Sequence, residues 1–134
     1  MAMLGWLLGR TQVADFAPGR GWTTEVVGES HYQENLSSLY RSHGGTEHDV
    51  KAVATLVPDD SNKYDKNAVR VEINRQQVGY LNRQMAVEFR AAIGSASGKC
   101  SAKILGGFIM DDGETASFGV KLNLAWPPRF KMKT

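Results

Sequence analysis

The sequence predicts a mainly β fold with two short helices: a small, partly open antiparallel barrel of about six strands. Three observations lead there. Short β-branched runs are separated by turns rich in Gly, Asn and Asp; the run Val69-Arg70-Val71-Glu72-Ile73 alternates strictly between apolar and charged residues; and only two stretches carry helical spacing. At 134 residues the chain has the size of one domain and can bury a core without disulfide or metal staples.

Residues 1–22 read as an N-terminal apolar arm and connector, and residues 23–134 as the domain. The arm carries Met3, Leu4, Trp6, Leu7 and Leu8, ended by Arg10. This patch is too short to span a bilayer and lacks the charged start and cleavage site of a secretory signal, so no stable membrane insertion is expected. It reads as a segment that packs on the domain or on a protein partner. Pro18, Gly19 and Gly21 mark the connector.

Residues 24–28 form the first expected strand. Tyr32, Leu36, Leu39 and Tyr40 then fall at i, i+4, i+7 and i+8, one face of a helix for which Ser30 is available as cap. Residues 49–57 are apolar on both parities, which fits a strand buried on both faces or one curved into a barrel wall. The alternating run Val69 to Ile73 follows as a half-exposed strand. Asn74 to Gln77 make a tight reversal into a short strand over residues 78–81. A second helix places Met85, Phe89, Ala92 and Ile93 on its buried face and ends at Gly94. Two strands, residues 100–110 with a bulge at Gly106 and Gly107, and residues 117–126, flank the turn 111–114. Pro127 and Pro128 stop the last strand, and the tail from Arg129 is expected to fray.

Composition excludes more than it selects. The formal charge of +2 permits a nucleic-acid partner without arguing for one, because a broad electrostatic binder shows a larger excess or a basic stripe. Cys100 is the lone cysteine, so no internal disulfide or thiolate metal site can form. It reads as a buried thiol, and a reducing, cytoplasmic setting is the simplest expectation. There is no phosphate-binding glycine loop followed by Lys-Ser or Lys-Thr, and no G-x-G-x-x-G after a strand. None of His31, His43 and His48 stands in the helical pair with a glutamate that zinc hydrolases use. His43 and His48 lie in a polar loop and are expected to be solvated, whereas His31 stands at a strand-to-helix junction. Asp59 and Asp60 open a loop superficially like a calcium loop, but Lys63 occupies the fifth position, where an oxygen ligand is needed. Asp111 and Asp112 are ordinary turn residues. The expectation is a binding module, not an enzyme, with no cofactor and no metal.

Three segments, VVGESHYQ (26–33), LVPDDSNKYDKNAVRVEI (56–73) and VGYLNRQMA (78–86), resemble the HIRAN domain, in its bacterial stand-alone form more than in the form fused to remodelers of animals and fungi. The resemblance runs from about Thr24 to Trp126. Its most specific part is the ordered pair N-x-Y-D-x-N-A-V and, nine residues on, V-G-Y-L. The resemblance implies an OB-like barrel that binds single-stranded DNA and holds its 3′-hydroxyl end, a task that serves DNA repair or replication-fork processing in eukaryotic members.

Carried over, the end-binding tyrosine and aspartate fall on Tyr64 and Asp65, with Asn62 and Lys63 beside them. Tyr80 and Arg83 take the positions of an aromatic or histidine and a basic residue after the V-G pair. Chemically this is coherent: a tyrosine ring stacks on a base, a carboxylate accepts from a hydroxyl, and an arginine meets a phosphate. The departure is Ser30-His31-Tyr32, where eukaryotic members place an arginine followed by tyrosines; His31 and Tyr32 retain stacking faces but the guanidinium is gone. A bland reading stands beside this one. Asn62 and Asn67 also suit loop backbone bonding, Asp65 suits a turn, and Tyr64 can cover one end of the barrel. The alternative function is a protein-interaction or assembly module on the same fold without DNA-end binding.

Overall fold

The structure is a computed structural model and describes residues 13–132; the apolar arm from Met3 to Arg10 and the last two residues lie outside the described residues. The elements follow the expected order: β1 (Thr24–Glu25), α1 (Gln33–Ser42), β2 (Val50–Pro58), β3 (Val69–Ile73), β4 (Gln76–Tyr80), α2 (Arg83–Ile93), β5 (Gly98–Leu105) and β6 (Gly119–Asn123). The six strands make one antiparallel sheet in the order β1-β6-β5-β2-β3-β4, curled into a half-barrel.

Alternation decides which face is inside. Val69, Val71 and Ile73 are fully buried and Arg70 and Glu72 are not. β2 is a barrel wall and is not buried on both faces: Val50, Ala54 and Leu56 point inward, while Lys51 and Val53 are exposed. Leu36, Leu39 and Tyr40 of α1 and Ala86 and Phe89 of α2 fill the concave side.

Two helix details differ from expectation. Ser30 does not cap α1; it lies in a short 3-10 turn, Glu29–His31, and Tyr32 takes the cap position with no side-chain cap bond. The reason is tertiary. The Glu29 carboxylate accepts from the Val120 amide at 3.1 Å, and the Gln33 side chain bonds both the amide and the carbonyl of Phe118 at 2.9 and 3.0 Å. These bonds to the start of β6 fix the turn more firmly than a serine cap does. On α2, Ala92 is exposed and Ala86 replaces it against the sheet, with Met85 and Ile93 half-buried on either side. Among the loop histidines, His48 is exposed, but His43 is half-buried and its Nδ1 lies 2.7 Å from the Leu39 carbonyl at the end of α1.

The last strand pair is shorter than its apolar runs. β5 stops at Leu105, where Gly106 and Gly107 take φ values of 109° and 73°. The hairpin continues off the sheet through Gly107 N–H to Ala116 O and Ala116 N–H to Phe108 O. The tail does not fray at its described residues. Phe130 stacks on Phe16 at 4.9 Å, and backbone bonds of 2.8 Å run from Ala17 to Arg129 and from Lys131 to Asp15. Phe16, from the stretch read as a connector, is buried and meets Phe89 edge-on at 5.6 Å.

The two edges of the half-barrel meet at one point. Val27 and Tyr80 exchange reciprocal backbone hydrogen bonds of 2.8 Å. Gly79 makes the approach possible, since a Cβ there would lie 2.6 Å from the Val27 carbonyl oxygen and would also strike a Val26 methyl. Gly79→Ala is therefore expected to cost about 1–3 kcal/mol through overpacking. Urea unfolding monitored by circular dichroism checks this.

Cys100 lies buried in β5, and burial pushes its thiol up to about 12 from an ordinary 9.0. The native thiol stays protonated at neutral pH. Its contribution to stability is complete below pH 9.0 and declines as the pH rises toward 12. A disulfide reagent such as DTNB at pH 8 should react with the denatured chain within minutes and with the native chain at least about tenfold more slowly.

Candidate nucleic-acid interface

The loop between β2 and β3 is organised by its own side chains. Asn62 Oδ1 accepts from the amides of Tyr64 and Asp65, both at 2.9 Å, and Asp65 Oδ1 accepts from the Asn67 amide at 2.9 Å. The Asp59 amide donates to the Ala68 carbonyl at 2.8 Å and closes the neck. Both neck aspartates meet guanidiniums: Asp59 lies 3.2 Å from Arg70 and Asp60 lies 2.6 Å from Arg90. These carboxylates are thus paired with cations, and no group of three or more metal-ligating side chains occurs among the described residues.

Arg90 reaches from α2 to more than Asp60. It also donates to the carbonyls of Asn67, Lys66 and Ala68 at 3.3, 3.3 and 3.2 Å. One guanidinium therefore ties the returning limb of the loop to the helix. The tip stays outside this clamp, and the Tyr64 side chain is 91% exposed.

Between the loop, the end of β4 and the start of α2 lies a cavity of about 320 Å³. Asn62, Tyr64 and Asp65 line it from the loop, Tyr80 from β4 and Arg83 from α2, with Val27, Ala68 and Leu81 as its apolar part. Asn62 thus has a structural task in the loop as well as a place in the wall. The bond from the Asn67 amide occupies only part of the Asp65 carboxylate's acceptor capacity, leaving room for another donor.

Arg83 is the first residue of α2, directly after Asn82, whose side chain accepts from the Met85 amide at 2.8 Å. No acidic residue stands in that first turn. A cation at the positive end of a helix is unfavourable by itself, so the pair makes a local preference for an anion. The cavity is consequently bipolar, with Arg83 on one wall and the Asp65 carboxylate on another.

Three sequence-selected residues do not line the cavity. Tyr32 stands behind it: its hydroxyl is pushed above the ordinary tyrosine range, first by burial and then by a hydrogen bond to Tyr80, with Arg70 acting in the opposite sense. His31 is exposed and meets the Tyr32 ring edge-on at 6.5 Å. Lys63 is exposed on the loop. Sequence reasoning did not find Val27, Leu81 or Arg90. No local pattern marks Arg90, whose role depends on a loop 22 to 30 residues away.

A match to the HIRAN domain covers residues 24–124, from the start of β1 to just past β6. The chain belongs to the HIRAN domain family. HIRAN domains are in general DNA-binding domains and are not catalytic by themselves. The match contains the whole cavity and leaves out the Phe16–Phe130 stack. No curated protein and no solved structure matches the chain. Among the described residues, no helix is long and apolar enough to cross a membrane.

The clamp makes a specific prediction for this HIRAN domain. Arg90→Ala should cost about 1–3 kcal/mol and speed amide exchange in residues 62–68, because one side chain serves three carbonyls. Arg90→Lys should keep the charge opposite Asp60 but still leave the loop amides exchanging faster than in the parent. Hydrogen–deuterium exchange with mass spectrometry reads both.

Proposed function

We propose that this HIRAN domain binds single-stranded DNA at its 3′ end and recognises the free 3′-hydroxyl, a capacity suited to DNA repair or replication-fork processing. The observation that carries the reading is the meeting, in one cavity, of an exposed tyrosine ring, a carboxylate and an arginine. Each has a separate task. Tyr64 supplies a stacking face worth ~1–3 kcal/mol per base. Arg83, at the amide-bearing end of α2, attracts the phosphate that precedes the terminal sugar. Asp65 accepts a hydrogen bond from the hydroxyl and repels a terminal phosphate, so selectivity comes from an unfavourable contact with the wrong end.

The missing arginine at Ser30 bears on affinity more than on end choice. Tyr32 is hydrogen-bonded to Tyr80 and His31 meets the Tyr32 ring edge-on, both outside the cavity lining, so their contribution is to support the Tyr80 ring.

Fluorescence anisotropy with oligonucleotides that differ only in a 3′-hydroxyl or a 3′-phosphate tests the proposal. The phosphate should weaken binding about tenfold or more, the consequence of placing like charges together. Tyr64→Ala should weaken both ligands, and Arg83→Ala should also flatten the salt dependence by ~0.7, the share of one phosphate contact on a single strand. Asp65→Asn retains an acceptor for the Asn67 amide, so it should keep the fold and lose the discrimination. Equal affinity for the two ends in the parent chain would sink end recognition.

A further inference from the structure

A second cavity, about 480 Å³, lies on the outer face of β2, β3 and β5. Val53, Thr55 and Val57 make its floor, and Arg70, Arg75 and Lys99 bring cations to it against the single carboxylate of Glu72. It adjoins the end-binding cavity. Arg70 and Tyr80 are direct cross-strand partners, so their side chains leave the sheet on the same side, one lining each cavity.

Two features of this face have no evident structural purpose. Val53 is 56% exposed on the open face of the sheet. Arg75 stands at φ 65°, after Asn74 at φ 50°, in the two-residue turn between β3 and β4. Asparagine suits the first of these positions, but the second favours glycine, and an arginine there carries a conformational cost.

We infer that this outer face is the track for the nucleotides that precede the bound 3′ end. The inference rests on the end-binding reading and extends it. A strand anchored at Tyr64 and Asp65 passes Tyr80 and Arg70 onto the floor, where Val57 and Val53 contact bases. Lys99 and Arg75 then meet phosphates farther along. Arg70 is already paired with Asp59 and Glu72, and Lys99 Nζ stands 3.9 Å from a carboxylate oxygen of the largely exposed Asp15, so the added charge comes from Arg75 and from this long, solvent-screened Lys99 pair. The charge on this face matches a polyanion, and its continuity with the end site gives a strand its path.

The test compares the full chain's affinity for trithymidylate and dodecathymidylate, both with 3′-hydroxyls, over a range of salt. The dodecamer should bind about tenfold tighter, with a salt slope steeper by ~1.4, the share of two phosphate contacts on a single strand. The double variant Arg75→Gly with Lys99→Ala, and separately Val53→Glu, should remove that gain while trimer binding stays as in the parent. Arg75→Gly alone should hold or raise the thermal midpoint, because glycine suits the turn, and this separates lost binding from lost folding. Equal affinity for trimer and dodecamer overturns the inference, as does a gain that survives the variants. A gain seen only after residues 1–12 are deleted assigns the face to the chain's own N-terminus and overturns it too. If the trimer shows no end preference but the dodecamer's gain is lost in the variants, the track stands and end recognition fails.

Discussion

The half-barrel is joined across its open side by the backbones of Val27 and Tyr80, whose two reciprocal bonds are 2.8 Å long. The pairing is possible only where β4 has no side chain to intrude, which is why Gly79 precedes Tyr80. Its consequences reach beyond closure. Val27 and Tyr80 both line the end cavity, and the β3–β4 ladder fixes where the preceding loop returns to the sheet. The segment 26–33 is far along the chain from 56–73 and 78–86 and joins their surface through this contact.

Around it, the loop is divided into a held base and a free tip. Asp59 and Asp60 are each engaged by an arginine, and Arg90 adds three carbonyls of the returning limb. Asn62 then turns the chain so that Tyr64 leads outward. An aromatic ring held away from the core by a braced loop loses less freedom on stacking than one on a slack loop. If Tyr64 is the stacking face proposed above, part of the ordering cost of binding has been met during folding.

The legible parts of the fold were those whose signal is local. Alternation in Val69–Ile73 and the spacing of Leu36, Leu39 and Tyr40 predicted the faces that are buried. The asparagine-led turn at Asn74 was equally readable. What failed depended on partners distant in sequence. Ser30 had the chemistry of a cap, but Glu29 and Gln33 are bonded to residues 118 and 120, and those bonds set the start of α1. The tail looked loose because nothing in it announces that Phe130 will stack on Phe16. In the candidate site, the V-G-Y-L and N-x-Y-D motifs and the residues beside them singled out Tyr64, Asp65, Tyr80 and Arg83, which line one cavity, whereas Arg90 was invisible because its partners, Asp60 and three backbone carbonyls, lie 22 to 30 residues away.

A net charge of +2 looks weak for a nucleic-acid binder, yet the sum conceals how the charges are placed. Asp59 and Asp60, the acidic residues at the neck of the β2–β3 loop, face Arg70 and Arg90 and are neutralised locally. Arg83 lies at the cavity, with Arg75 and Lys99, the latter 3.9 Å from Asp15, on the neighbouring face. Three such cations on a single strand give a salt slope of only ~2, far short of a strongly basic protein's. On the proposed reading, affinity for interior phosphates would then be modest, and a larger share of the binding energy would come from stacking and from the chemistry of the terminus. Under the proposed end recognition, weak general attraction is what would let a single carboxylate, Asp65, decide between two kinds of end.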